Sequence, residues 1–353
     1  CLVITVRRKL ITILSLVFLV VALSAIPTAC KKEQSTRGLE KMQQEIPESF
    51  PAPVYTFSDN PLSKEGFELG RRLFYDPQLS ADGLIPCSSC HQQIAGFGTY
   101  EHDRSHGVFN THTLRNAPVL FNLAWNTSFH WDGAFSSIAD EAAHPLTGSN
   151  EMGQTYERII DYLGADRSYR EAFTKVFRYP FIRPEFINKA LAQFTGSFVS
   201  ANSKYDRYKK GTVAFTPQEE NGYQVYQLKC AGCHPEPLFT DQSFRNIGLP
   251  VDPLLNDYGR MRITGNPADS LKFKVPTLRN TYISANYMHD GRFNTLQQCL
   301  NHYRNNVQQA ATLDPLLING ITLTTTQNDN LLLFLRALTD SGFLRDTRFT
   351  KPD

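Results

Sequence analysis

The chain has 353 residues, of which 41% are hydrophobic and 20% charged, with a formal net charge of +2. This length and composition predict a globular protein with room for two domains of ordinary size. The small net charge gives no reason to expect nucleic acid as a partner. Most of the seven cysteines fall in two short motifs, so a disulfide framework is not expected.

The N-terminal segment 1–29 has the order of an export signal. Three basic residues at 7–9 precede an apolar run over 10–26, and small residues then lead into Cys30. The run is at the short limit for a membrane span. The pattern resembles a bacterial lipoprotein signal with Cys30 as the lipid-bearing residue, which implies a periplasmic protein that touches the membrane only through its lipid. Plain secretion and an uncleaved anchor are the alternatives.

A polar tether over 30–53 is expected to separate this signal from the folded part. Beyond the tether, apolar residues recur at helical spacing, and no alternating apolar pattern is long enough to predict a sheet. The chain is therefore predicted to be all-α with long loops, with helices over 63–74, 154–163, 185–199, 217–230, 295–304 and 327–339.

Two motifs have the form C-x-x-C-H, CSSCH at 87–91 and CAGCH at 230–234. Their cysteines could share one zinc ion, but paired zinc motifs are usually ~15–20 residues apart and these are separated by 143. A thioredoxin-like pair requires no following histidine. Two thiols on one turn can each form a thioether to one haem, and the adjacent histidine can bind its iron. The motifs therefore predict two covalently bound haem c groups, held by Cys87, Cys90, His91, Cys230, Cys233 and His234.

The sequence also contains an internal repeat. Residues 117–138 align with residues 275–296 without a gap, at an offset of 158, and share proline, asparagine, Asp-Gly and phenylalanine at matching positions. A repeated haem motif followed by a repeated block predicts two related cytochrome c-like domains. We place them at 54–208 and 209–346, each around one haem.

The offset pairs His144 with His302 and Pro145 with Tyr303. Tyr303 can offer an oxygen atom to iron, whereas proline has no donor to offer. We therefore expect the second haem to be capped and the first to be open. The alternative is that Tyr303 is an ordinary tyrosine with its hydroxyl at the surface.

With these motifs in order, the chain resembles the bacterial di-haem cytochrome c peroxidase and MauG family. The resemblance covers nearly everything after residue 60. It implies a peroxidatic haem in the first domain, an electron-donating haem in the second and a calcium ion between them. It also implies hydrogen peroxide as substrate, a small cytochrome c or cupredoxin as electron donor, and a homodimer, as in classical members. The segments that carry it are LSADGLIPCSSCH, LRNAPVLFN, FHWDG, NEMG, CAGCH, FTDQSFRNIGL, FKVPTLRN and YMHDG.

The resemblance assigns roles to individual residues around the two haems. His91 and His234 match the proximal ligands of the two irons, and Trp131 matches the tryptophan that relays electrons between the haems. Glu151 matches the family's distal glutamate, and Glu141 falls where the family usually has glutamine. A carboxylate above an open haem can take a proton from peroxide and return it to the leaving oxygen.

Four more residues are implied as metal ligands by the same resemblance. His106 falls near the histidine that caps the first iron in resting classical members; a loop histidine without iron contact is the alternative. Asn116 matches the calcium-ligating asparagine, and the backbone carbonyls of Ser284 and Asn286 fall at the other protein positions. Oxygen ligands of this kind suit calcium.

Tyr303 departs from the classical pattern, in which a methionine binds the second iron, and agrees with MauG, which has tyrosine there. Met288 is the alternative sulfur ligand. The sequence thus predicts a di-haem peroxidase that reduces hydrogen peroxide. The alternatives are a MauG-like enzyme that oxidises a partner protein with peroxide, and a di-haem electron carrier without enzymatic activity.

Overall fold

The computed structural model of the chain describes residues 38–352. The predicted signal peptide, Cys30 and the first part of the tether lie outside this range. The described part is rich in helix, with one short antiparallel pair of strands, β1 (Phe244–Arg245) and β2 (Phe273–Lys274). Its helices are α1 (Lys64–Phe74), α2 (Cys87–Cys90), α3 (Ile138–Thr147), α4 (Tyr156–Ala165), α5 (Arg167–Phe177), α6 (Pro184–Thr195), α7 (Lys204–Lys209), α8 (Pro217–Lys229), α9 (Met261–Thr264), α10 (Leu296–Asn305) and α11 (Thr325–Ala337).

Local capping chemistry explains where several helices begin. Before α8, the hydroxyl of Thr216 accepts from the backbone N–H of Glu219 at 3.2 Å, and the carboxylate of Glu219 accepts from the N–H of Thr216 at 2.7 Å. This reciprocal pair is a capping box, and α7, α10 and α11 begin with the same arrangement. All six predicted helices are confirmed, with ends that differ by up to four residues.

The largest difference is at the end of α6, which stops at Thr195 and not at residue 199. There the N–H of Gly196 still bonds to the carbonyl of Ala192, but the next residues turn away from the helix axis. The prediction missed α3 and α5, and also the short helices α2, α7 and α9. Helix α5 follows α4 after one residue, Asp166, whose carboxylate accepts from the N–H groups of Ser168 and Tyr169.

The sequence repeat is also a repeat of backbone structure. Helices α3 and α10 begin and end at positions that differ by 158, as do the 3₁₀ turns Leu123–Trp125 and Thr281–Ile283. The residue before each turn, Asn122 or Asn280, has the left-handed conformation, with φ of 57° and 56°. Both halves therefore fold the aligned block in the same way.

Each half also contains a close crossing of two helices at a glycine. A Cβ atom on Gly70 of α1 would lie 2.0 Å from the carbonyl oxygen of Ala190 in α6. A Cβ atom on Gly222 of α8 would lie 1.9 Å from the carbonyl oxygen of Asn330 in α11. Only glycine allows the backbones to approach this closely.

The described residues form two main hydrophobic clusters, the first mostly from residues 67–198 and the second from residues 205–338. The first packs α1, α4, α5 and α6 around phenylalanines such as Phe97 and Phe194. The second packs α8 and α11 around residues such as Tyr226 and Phe334. After α11 the chain returns to the first cluster, where the rings of Phe349 and Phe198 lie 4.8 Å apart. The domain limits 54–208 and 209–346 stay a prediction.

Over residues 38–352, none of the helices is both long and apolar enough to cross a lipid bilayer.

Candidate haem and peroxide sites

The first four residues of the CSSCH motif form the single turn α2, and His91 is the residue that caps its C-terminal end. The ring Nδ1–H of His91 donates to the carbonyl oxygen of Phe97 at 2.8 Å. This bond leaves Nε2 as the ring nitrogen with a free lone pair. Burial lowers the pKa of His91, so its imidazole is neutral and able to bind a metal ion.

The CAGCH motif continues from the end of α8 and has an equivalent arrangement. The ring Nδ1–H of His234 donates to the carbonyl oxygens of Phe239 and Pro276, each at 3.1 Å. The hydroxyl of Tyr226 donates to the backbone carbonyl of His234. Burial lowers the pKa of His234 as well, so Nε2 is again the free, neutral nitrogen.

The cysteines of both motifs form no disulfide bonds. Burial raises the pKa of Cys87 and of Cys230 to about 12, so the thiols are protonated. Two neighbouring thiols and a neutral histidine with a free Nε2 are the groups that haem c attachment uses. Both motifs therefore fit a covalently bound haem.

Each motif lines a large cavity. The first cavity, of about 490 Å³, is lined by Cys87, Cys90 and His91. The second cavity, of about 230 Å³, is lined by Cys230, Cys233 and His234. Apolar side chains provide most of both walls, as expected for pockets that bind a large, flat and mostly apolar group.

Both predicted glutamates line the first cavity with His91. Glu141 lies in α3, and Glu151 lies in the turn after it, where its N–H donates to the carbonyl of Gly148 at 2.9 Å. The Oε2 atom of each carboxylate is buried without a hydrogen-bond partner. Burial raises the pKa of Glu151. A buried carboxylate with an unpaired oxygen can accept and release a proton inside the cavity.

Two histidines in this cavity were missed as functional residues by the sequence analysis. The ring nitrogen Nε2 of His130 lies 2.9 Å from Oε1 of Glu141, and Nε2 of His144 lies 3.7 Å from Oε2 of Glu151. The sequence offered one signal for His130: at the offset of 158 it pairs with Met288, a candidate ligand of the second haem.

Trp131 alone, among the residues in the described range, lines both the first and the second cavity. Its indole N–H donates to the backbone carbonyl of Asn116 at 2.9 Å, and its own carbonyl accepts from the N–H of Lys274 in β2 at 2.7 Å. These two bonds hold the ring between parts of the two repeats.

The second cavity contains both candidate distal ligands, Tyr303 and Met288. Burial raises the pKa of Tyr303, so its phenol is protonated in the absence of a bound cation. Met288 has a left-handed backbone, with φ of 71°, like its repeat partner His130. Pro145, the partner of Tyr303, lines the first cavity and offers it no donor. The choice between Tyr303 and Met288 stays open.

A third, middle cavity brings the three predicted calcium ligands together, since Asn116, Ser284 and Asn286 all line it. The side-chain Nδ2 of Asn116 donates to the carbonyl of Asp103 at 2.8 Å, which leaves Oδ1 available. The carbonyl of Ser284 already accepts from the hydroxyl of Tyr287 at 2.7 Å. Carbonyl and amide oxygens are suitable calcium ligands. Residues 38–352 contain no group of three or more His, Cys, Asp or Glu side chains that could together bind a metal ion.

His106 lines the first cavity, and its ring lies between two other histidines. Its ring centroid is 4.4 Å from that of His102 and 4.3 Å from that of His112. Burial, and then the charges of these two neighbours, lower the pKa of His106. Its imidazole is therefore neutral, as an iron ligand must be, and its role as a removable cap stays a prediction.

Comparisons with known proteins agree with this arrangement. A family model described as di-haem cytochrome c peroxidase matches residues 64–214. Methylamine utilization protein MauG of Methylorubrum extorquens is 33% identical over 287 residues, which cover 79% of this chain and 78% of that protein. Cytochrome c551 peroxidase of Nitrosomonas europaea is 36% identical over 237 residues, which cover 66% of this chain and 71% of that protein.

A solved structure is also similar over nearly its whole length. The crystal structure of a MauG-like protein associated with microbial copper homeostasis superposes with a TM-score of 0.81 and 31% sequence identity. The match covers 88% of this chain and 99% of that protein. The similarity therefore extends over most of both halves of the chain.

Proposed function

Because the chain belongs to the di-haem cytochrome c peroxidase family, we propose that it reduces hydrogen peroxide to water with electrons from a small cytochrome c or cupredoxin. The chain is a peroxidase, and its family implies haem c as cofactor. CSSCH would hold the haem of the peroxide site, and CAGCH the haem that receives electrons. The iron would supply the redox chemistry, while the protein supplies binding, orientation and proton transfer.

The observation that carries this proposal is the carboxylate of Glu151 in the first cavity, whose Oε2 is buried without a hydrogen-bond partner. Pro145 lines the same cavity and offers no atom that could bind the iron in place of peroxide. Peroxide bound in that cavity would lose a proton to Oε2 of Glu151. The same carboxyl group would then return the proton to the outer oxygen, which leaves as water when the O–O bond breaks. The overall reaction consumes two electrons and two protons for each peroxide, and yields two waters.

Electrons would reach the first cavity by way of Trp131. The tryptophan lines both cavities and is held by hydrogen bonds at its indole N–H and at its backbone carbonyl. A large aromatic ring in a fixed position can serve as a relay, and it also fills the space between the two sites.

A steady-state assay with reduced cytochrome c and hydrogen peroxide tests this function. The protein should first be shown to contain two haems. We expect peroxide-dependent oxidation of the cytochrome, and an E151Q variant with the same haem content should be much slower. A wild-type protein that carries both haems and shows no turnover with cytochrome c or cupredoxin donors would refute the proposal.

Tyr303 supports a second candidate function, the peroxide-dependent oxidation of residues in a partner protein. A phenolate ligand would stabilise the ferric state of the second iron more than methionine sulfur does, and a MauG protein is among the relatives. The two functions differ in their reductant. If peroxide is consumed only when an oxidisable protein replaces the reduced cytochrome, the second function is correct.

The proposal includes export and a calcium ion. The signal over 1–29 and the lipid on Cys30 would place the protein in the periplasm, attached to the membrane through that lipid alone. Asn116, Ser284 and Asn286 would bind calcium in the middle cavity, next to Trp131. Mass spectrometry of the mature protein would identify its first residue and any lipid, and sedimentation would show whether it is a homodimer.

A further inference from the structure

Each of the two glutamates in the first cavity lies close to a different histidine. His130 precedes Trp131 in a left-handed backbone conformation, with φ of 64°, and its Nε2 is 2.9 Å from Oε1 of Glu141. His144 lies one turn after Glu141 in α3, and its Nε2 is 3.7 Å from Oε2 of Glu151. The cavity thus contains two His–Glu pairs.

The pairs form a path from solvent to the interior. The side chain of His144 is 47% exposed, whereas those of Glu151, His130 and Glu141 are 26%, 22% and 18% exposed. The ring centroids of His144 and His130 are 5.0 Å apart. Protons can therefore enter at His144 and reach the buried oxygens of both carboxylates over short distances.

The second half of the chain keeps a histidine, His302, at the position of His144 but lacks the His130–Glu141 pair. At the offset of 158, His130 corresponds to Met288 and Glu141 corresponds to Cys299, and both of these line the second cavity. The thioether of Met288 does not exchange protons, and burial raises the pKa of Cys299 to about 12. A histidine–glutamate pair in the first cavity is thus replaced by two sulfur atoms in the second.

We propose that His144 and His130 are proton-relay residues of the first site, with His144 passing protons between solvent and Glu151, and His130 sharing a proton with Glu141. This inference rests on the proposed function, because peroxide reduction needs two protons at this cavity for every two electrons. Both protons come from solvent and end in the two product waters, so the relay requires no further reactant.

The charges around the relay determine how its carboxylate responds to pH. Burial raises the pKa of Glu151. The charges of His144 and His130 act to lower this pKa, whereas the charge of Glu141 acts to raise it. Burial acts to lower the pKa of His130, but the hydrogen bond and charge of Glu141 outweigh burial and raise it. The other charged or titratable groups that face this region are Cys87, Cys90, His91, His106, Arg115, Asp132, Arg262 and Lys274.

Cyanide binding to the ferric holoprotein tests the relay without any turnover. Hydrogen cyanide must release a proton to a base in the cavity before cyanide binds iron, so the association rate should fall as pH falls through the pKa of Glu151. H144N and H130N each remove a group that lowers this pKa, so the midpoint of the rate profile should move to higher pH. Below the midpoint, both variants should bind cyanide about tenfold more slowly than wild type.

The matched control is D140N, which removes an exposed carboxylate next to Glu141 that does not line the cavity; its profile should equal that of wild type. The relay would be overturned if H144N and H130N bound cyanide at rates within about twofold of wild type at every pH, with the same pH midpoint. If H130N fails to incorporate haem, H144N decides alone, because the side chain of His144 is about half exposed. A wild-type protein that binds no cyanide, either as isolated or after reduction of the second haem to release a His106 cap, would instead contradict the open first site, and with it the proposed function.

Discussion

Pro145 and Tyr303 occupy the same position in two equivalent helices. Each is the third residue from the end of its helix, α3 or α10, and the two helices begin and end at an offset of 158. Pro145 lines the first cavity and Tyr303 the second. The repeated backbone thus supplies an oxygen donor to one site and none to the other, which is the difference that a capped and an open haem require.

The first prediction concerns Tyr303. If its phenolate binds the second iron, Tyr303→Phe should leave that iron without its distal ligand, and the EPR spectrum should gain a second high-spin ferric signal. Tyr303→Met should restore a low-spin iron with a potential higher by on the order of 0.1 V, within the ~0.8 V range that axial ligands span. Spectra of both variants that match wild type would indicate that Met288 is the ligand.

The second prediction concerns Glu151 and pH. Burial raises the pKa of this carboxyl group, and its basic form, which is present above that pKa, is the form that accepts the proton of peroxide. The kcat/KM for peroxide should therefore fall as pH falls through the raised pKa. Glu151→Gln should lower kcat/KM by about 10²- to 10⁴-fold and remove this acid limb. An unchanged pH profile in the variant would assign the limb to another group.

Much of the fold could be predicted from the sequence because its signals are local. The helices follow apolar periodicity and capping residues such as Thr216 with Glu219, and the repeat follows one constant offset. The return of the C-terminal segment to the first cluster could not be predicted in this way. Phe343 and Phe349 contact Phe198, and such a contact between distant residues leaves no mark on either segment.

The candidate site shows the same limit. The motif residues that line each cavity follow directly from C-x-x-C-H, and the distal glutamates and Trp131 follow from the family resemblance. The contact of His130 with Glu141 depends on the left-handed backbone at His130, which directs its ring toward α3. A non-glycine residue in that conformation is uncommon, so the sequence alone did not indicate this pairing.

The third prediction concerns electron transfer through Trp131. In Trp131→Phe the ring loses its indole N–H and its bond to Asn116, so oxidation of the reduced second haem by peroxide should slow in stopped-flow absorbance traces. Trp125→Phe is the matched control, because Trp125 is buried and its indole N–H also bonds to a backbone carbonyl, that of Pro51, but it lines none of the three cavities. Equal rates in the two variants would count against the relay role.

The fourth prediction concerns calcium in the middle cavity. Asn116→Ala removes the available Oδ1 and the bond to Asp103, so calcium affinity measured by titration calorimetry should fall by at least about tenfold. Asn126→Ala changes another asparagine that lines the same cavity and should keep wild-type affinity. Metal analysis that finds no calcium in the wild-type protein would remove this site from the proposal.

The fifth prediction concerns the helix crossing in the second half. In Gly222→Ala the new methyl group would lie 1.9 Å from the carbonyl oxygen of Asn330. This oxygen belongs to the backbone of α11, so it cannot move aside as the end of a flexible side chain could. Forcing α8 and α11 apart should destabilise the protein by about 1–3 kcal/mol or more and lower the midpoint of guanidinium denaturation. Gly164→Ala is the control, since Gly164 lies in α4 with no heavy atom near its Cβ position; this change should stabilise the protein by up to ~1 kcal/mol through helix propensity alone. Equal midpoints for the two variants would show that α8 can shift without cost.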